Sequence, residues 1–186
     1  MTETKGPLSR IVPFALVVTG VSLLIFLYLY WHRGPVIRIH GPRKELAEDF
    51  GLTGLAAMIL IYGRSLLKLL LNEGTLLQRL VPRERYEASH SRLRQALTWL
   101  NRSHRYVGTA AVAIFPCHAL LMGTARWNPF LVLVLALVVW QGAFGFMLTW
   151  RFPPAQLKRY SYLVHAQLFT GVMIGVFAGF GHLLVP

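Results

Sequence analysis

Four long stretches of this chain contain no Asp, Glu, Lys or Arg: Ile11 to His32, Val107 to Ala125, Trp127 to Trp150, and Tyr160 to Pro186. Each has the ~20 residues that a helix needs to cross about 30 Å of hydrocarbon at 1.5 Å per residue. A fifth stretch, Gly51 to Leu71, has the length if Arg64 and Lys68 can be accommodated. With 55% of its 186 residues hydrophobic and only 14% charged, the chain falls outside the composition of soluble domains, where roughly a quarter of residues carry charge. The pattern predicts an all-α integral membrane protein with one membrane domain over residues 1–186. Five transmembrane helices are expected near 11–32, 51–71, 104–124, 128–150 and 160–184, with helices two to five forming a four-helix core. No repeat, low-complexity tract or strand pattern is present.

The first apolar run is longer than the ~7–15 residues of a signal-peptide core, and it ends in "YLYWHRG" rather than a small-residue cleavage site. It reads as a retained anchor or partner contact. The single cysteine, Cys117, excludes an intrachain disulfide and a multi-cysteine cluster, and "FPCH" lacks the first cysteine of a c-type haem attachment site.

A net charge of +12 would suggest nucleic acid in a soluble protein, but here the loops that carry it matter more than the sum. Arg79, Arg83, Arg85, Arg92, Arg94, Arg102 and Arg105 lie between spans two and three, and Arg151, Lys158 and Arg159 between spans four and five. Lys5 and Arg10 precede span one. The positive-inside rule puts these segments and the N-terminus in the cytoplasm and the C-terminus outside, with twelve basic residues inside against five outside. The first loop, with four basic residues, fits least well. A bacterial-type inner membrane is the expected location, and nucleic-acid binding is set aside because topology already places the arginines.

Gly and Pro argue against helix between Gly34 and Pro42, and Gly74 is placed to stop helix two. The segment at about 83–102, with Tyr86, Leu93, Ala96, Leu97 and Leu100 among arginines, has the pattern of a basic helix lying at the headgroups; a solvated charged linker is the alternative. Trp127, Asn128 and Pro129 predict a tight turn, and Pro153 with Pro154 a break before span five. Trp31, Trp99, Trp127 and Trp150 read as interface belt residues.

Of seven histidines, His32, His40 and His90 fall in loops or at an interface, whereas His104, His118, His165 and His182 all belong to spans three and five. Ionisable residues inside a membrane are functional candidates, because removing them from water is costly; a helix-to-helix hydrogen bond is the plain alternative for any one of them. Fourteen residues separate His104 from His118, which is about 40° short of four full turns with a rise of about 21 Å, so both lie on one face at two depths. Two stacked porphyrins, each ligated from both sides by facing helices, need that arrangement. Gly108, one turn beyond His104, leaves room for a macrocycle edge. His165 and His182 are 17 residues apart, about 100° off a common face in an ideal helix, unless Gly171, Gly175, Gly179 and Gly181 permit a bend. Depth pairs His104 with His165 toward the cytoplasm and His118 with His182 toward the outside. Arg64 and Lys68, one turn apart, suit haem propionates, although Lys68 equally suits the headgroups. Gln141 and Gln167 read as inter-helix hydrogen-bonding residues rather than quinone ligands.

The run "HRYVGTAAVAIFPCH", followed two helices later by "YSYLVHAQLFTGVMIGVFAGFGH", resembles the transmembrane b-haem domains of the ferric reductase-like and cytochrome b561-like families. That resemblance covers spans two to five and implies His104, His118, His165 and His182 as ligands of two b haems. It also implies electron transfer across the membrane between a cytoplasmic donor, quinol or ascorbate and an acceptor on the far side. The wider spacing on span five departs from the families' pattern at His182. No G-x-G-x-x-G in a strand-to-helix context occurs, so the chain has no flavin or nicotinamide domain of its own and other redox subunits are expected partners. The competing expectations are a single haem with one histidine pair structural, or a cofactor-free membrane scaffold whose histidines tie helices together. A transporter is disfavoured by the lack of midplane carboxylates, and a shared zinc ion by the 14- and 17-residue spacings.

Overall fold

The computed structural model describes residues 7–34, 41–72, 81–123, 127–151 and 154–185, the side chains of 7–12, 72, 83 and 84 excepted. Gly74, His40, Arg79, Arg126 and Pro153 lie outside the described residues, and with them the expected stop of helix two at Gly74. The described residues form six helices and no strand: α1 (Pro7–Trp31), α2 (Pro42–Asn72), α3 (Arg83–Met122), α4 (Pro129–Thr149), α5 (Ala155–His165) and α6 (Leu168–Leu183). By length and composition four of them can cross a membrane, and α5 with α6 can do so as a pair bent by 47°. Such a set belongs to a multi-pass membrane protein. The exposed leucines, valines and tryptophans along α1, α2 and α4 are its lipid-facing surface, and the four tryptophans at span ends are all exposed.

Three expected boundaries change, each for a physical reason. α2 begins at Pro42 rather than near residue 51. Hydropathy reports the hydrocarbon, not the helix, and "PRKELAED" places proline at the first helical position, carboxylates in and just after the first turn, and good helix formers between. The basic segment at 83–102 is continuous with the third span: α3 runs unbroken for 40 residues from Arg83 to Met122, about 60 Å, twice the hydrocarbon thickness. Nothing between Trp99 and Gly108 interrupts it, and Gly123, at φ +81°, follows its last residue in the left-handed conformation that ends helices. Span five is two helices, and the break falls at Ala166 and Gln167, not at the glycines of α6.

The chain divides into two compact units, Lys44–Leu121 and Met1–Arg43 with Met122–Pro186. In the first unit α2 and α3 form an antiparallel hairpin. Ala47 faces His118, Gly54 faces Ile114 and Phe115, and Arg64 faces Asn101. Ala47, Gly51, Gly54 and Ala57 let the two backbones approach closely, the device that membrane helices use in place of a hydrophobic driving force.

In the second unit α6 lies between α1 and α4. Phe14 meets Phe169 and Phe26 stacks on Phe180, with centroids 5.2 and 4.9 Å apart, so α1 runs parallel to α6. Phe130 meets Phe177 and Phe180, and Asn128 Nδ2 donates to Gly181 O at 2.9 Å, so the end of α6 is level with the start of α4. Asn128 also caps α4, its Oδ1 accepting from the amides of Phe130 and Leu131, with Pro129 at the first helical position. Phe130, Val134 and Val138, one turn apart on α4, and Met173, Ile174 and Phe177 of α6 are the buried core of this unit.

Candidate functional site

The four candidate histidines divide evenly: His104 and His118 belong to the α2–α3 unit, His165 and His182 to the unit of α1, α4, α5 and α6. His118 sits near the end of α3, against the part of α2 that precedes the apolar span. Its Nδ1 donates to Ala47 O at 2.8 Å. The ring lies on Gly51, so that a Cβ built there would meet Cε1 at 2.9 Å, Nδ1 at 3.2 Å and Nε2 at 3.7 Å.

His165 repeats this geometry on different helices. It is the last residue of α5; its Nδ1 donates to Gln141 O of α4 at 3.0 Å. Its ring lies on Gly145, where a Cβ would meet Cε1 at 2.9 Å, Nδ1 at 3.3 Å and Nε2 at 3.6 Å. In each case the accepting carbonyl is four residues before the glycine, one helical turn away on the same side of the helix. A carbonyl oxygen can only accept, so Nδ1 carries a proton in both rings, and in the neutral imidazole the lone pair is on Nε2. That tautomer, fixed by a backbone carbonyl, is the one that metal-ligating histidines commonly adopt.

The remaining two differ. His182, in the last turn of α6, is exposed and donates from Nδ1 to Ala178 O of its own helix at 2.8 Å. His104 is half-buried, with Nδ1 shielded from solvent. It lies on the same unbroken helix as His118, as the 14-residue spacing requires. The face argument for His165 and His182 does not apply, because the break at Ala166 and Gln167 removes the continuous helix on which it was counted.

Arg64 is engaged within its own unit. Its Nε donates to Asn101 Oδ1 at 2.6 Å, and Asn101 is three residues before His104, so the guanidinium is anchored at the level of that histidine. A Cβ at Gly108 would meet nothing within 4 Å, in keeping with open space beside His104. Gln141 Nε2 reaches Val164 O at 3.5 Å, a long contact between α4 and α5, whereas Gln167 is exposed at the α5–α6 break and its side chain makes no cap bond. An open apolar groove of about 310 Å³ lies between α2 and α3, lined by Leu60, Gly63, Leu67 and Leu100 among others.

Sequence reasoning named the histidines but not what holds them: Ala47 and Gly51 for His118, Gln141 and Gly145 for His165, and Asn101 for Arg64. It also missed Ser161, one turn before His165 on α5, which is fully buried and whose Oγ has no hydrogen-bond partner among the described residues. Among the described residues no group of three or more His, Cys, Asp or Glu side chains is gathered to hold a metal ion. Axial ligation of a haem asks for less, one imidazole on each side, and the donor chemistry of His118 and His165 fits that role. No protein family, curated protein or solved structure matches the chain.

Proposed function

We propose that the chain is a membrane b-type cytochrome, an electron-transfer protein or subunit with two haems b whose axial ligands are His104, His118, His165 and His182. The observation that carries the reading is the pair of imidazoles, one in each unit, locked through Nδ1 to a backbone carbonyl over a glycine. Bound haem iron would supply reversible one-electron transfer. His118 and His165 are half-buried, and each is oriented by its Nδ1 bond to a carbonyl of the neighbouring helix, which sets the direction of Nε2. Arg64, oriented by Asn101, carries the positive charge that a carboxylate near His104 would take up.

Five spans are part of the proposal. α5 and α6 return along α4 from Gly145 near one end to Asn128 at the other, which supports reading them as one crossing. The N-terminus is then cytoplasmic and the C-terminus outside. The proposed electron donor is a quinol or a soluble or membrane partner, with other redox subunits completing the system.

The experiment is a visible spectrum of the detergent-purified protein, oxidised and reduced, with haem quantified per chain. Two haems per chain with a b-type reduced band are expected, and His118→Ala or His165→Ala should each lose one. A colourless protein from haem-replete cells overturns the reading. It would favour a cofactor-free scaffold, for which the same two Nδ1 bonds are observations in favour, since they tie α3 to α2 and α5 to α4 without a metal.

A further inference from the structure

The two histidine contacts agree in more than their partners. The three ring atoms nearest the virtual Cβ are the same in both, in the same order and within 0.1 Å: 2.9, 3.2 and 3.7 Å at Gly51 against 2.9, 3.3 and 3.6 Å at Gly145. The acceptor is in both cases the carbonyl one turn before the glycine. Two unrelated helix pairs thus form one slot, with the glycine Cα as its floor and the carbonyl of the preceding turn as its latch. That carbonyl already closes the helix's own bond to the glycine amide and has a second lone pair for the imidazole.

We propose that Gly51 and Gly145 are positioning residues for His118 and His165, each fixing the tautomer and ring direction of the axial ligand to a different haem. The inference rests on the cytochrome reading and adds to it which residues set each ligand. Any side chain at either glycine enters the imidazole: 2.9 Å to Cε1 is a distance that Cβ atoms do not adopt, and what must move is the ring or the helix backbone. Displacing the ring lengthens or breaks the Nδ1 bond. That bond raises the basicity of Nε2 and favours the oxidised iron, so its weakening should raise the midpoint potential of the haem concerned.

Gly54 provides the control. It lies one turn from Gly51 on the same helix interface, yet its nearest neighbours, Ile114 and Phe115, stand at 3.4 and 3.5 Å from the virtual Cβ, an ordinary contact with no histidine. The test is a potentiometric titration with low-temperature EPR of the full chain carrying Gly51→Ala, Gly145→Ala or Gly54→Ala. Expected is an upward shift in midpoint and a changed low-spin g-tensor at one haem for Gly51→Ala, the same at the other haem for Gly145→Ala, and neither for Gly54→Ala. The two slots belong to separate units, so if one variant fails to accumulate the other carries the test. Haem-loaded variants with both signals unchanged overturn the inference and leave the cytochrome reading standing, as do two variants that move the same haem. A wild-type chain without haem overturns the reading itself. In that case the histidine ¹⁵N shifts of the same proteins still report whether Gly51→Ala and Gly145→Ala abolish the Nδ1-protonated tautomer.

Discussion

Ser161 shows how closely the α4–α5 contact is filled. Its side chain is fully buried and its Oγ has no hydrogen-bond partner among the described residues. Removing a hydroxyl from water without a partner costs on the order of 1–3 kcal/mol, and alanine has nearly the same shape with better helix propensity. Ser161→Ala is therefore expected to stabilise the protein by about 1 kcal/mol, read as a higher midpoint of denaturant unfolding in detergent. A lower midpoint would mean that the hydroxyl has a role in holding the α5 turn before His165. The histidines themselves were legible in the sequence because an imidazole inside an uncharged span stands out against leucine and valine. Their supports were not. Gly51 and Gly145 lie on other helices, 67 and 20 residues before the histidines they carry, and no spacing rule relates residues that meet only by packing. Arg64 was recognised by its charge, Asn101 was not, since one amide on a polar helix carries no such signal.

Among the elements, the meeting of α4 and α6 depends on one residue with two functions. Asn128 accepts from the Phe130 and Leu131 amides at 3.1 and 3.2 Å and donates to Gly181 O at 2.9 Å. Beside it, Gly181 brings the end of α6 so close to Leu131 that a Cβ there would lie 2.6 Å from Cδ2. Asn128→Ala removes the cap and the inter-helix bond together, at about 2 kcal/mol, and Asn128→Ser keeps the acceptor for the cap while losing the donor, at about 1 kcal/mol. The order wild type, serine, alanine in unfolding midpoint is the expected result; serine matching the wild type would show that the bond to Gly181 contributes nothing. Element boundaries were the least legible part of the chain, and the reason is the same at both misplaced starts. Residues 42–50 and 83–103 are polar but rich in Lys, Arg, Glu, Leu and Ala, which favour helix as well as the apolar residues that follow do. The break at Ala166 and Gln167 carries no Gly or Pro, so nothing local announces it. α5 ends there, its last residue His165 bonded to Gln141 O of α4.

For the whole molecule, the number of crossings decides on which sides the termini lie, and within one unit the packing gives a basis for it. α1 runs parallel to α6 and α4 runs antiparallel to it. The N-terminal end of α1 and the α4–α5 connection therefore share one end of this unit, and Trp31, Asn128 and His182 lie toward the other. Among the described residues of this unit the first end carries Arg151, Lys158 and Arg159, the second Arg33 and Arg43, an asymmetry that by the positive-inside rule supports the proposed cytoplasmic side for the first. α6 alone, with 16 residues, rises only about 24 Å, short of the hydrocarbon. In the proposed fifth span the 11 residues of α5 supply the remaining length, with Lys158, Arg159 and Tyr160 at the interface. A re-entrant loop would instead bring the C-terminus back to the side of Arg151. Alkaline phosphatase fused after Val185 should be active, and the same enzyme inserted at Arg151 inactive, with green fluorescent protein fusions giving the reverse. Equal activity at both positions would make α5 and α6 re-entrant, leave four crossings and remove the depth matching on which the pairing of His118 with His182 depends.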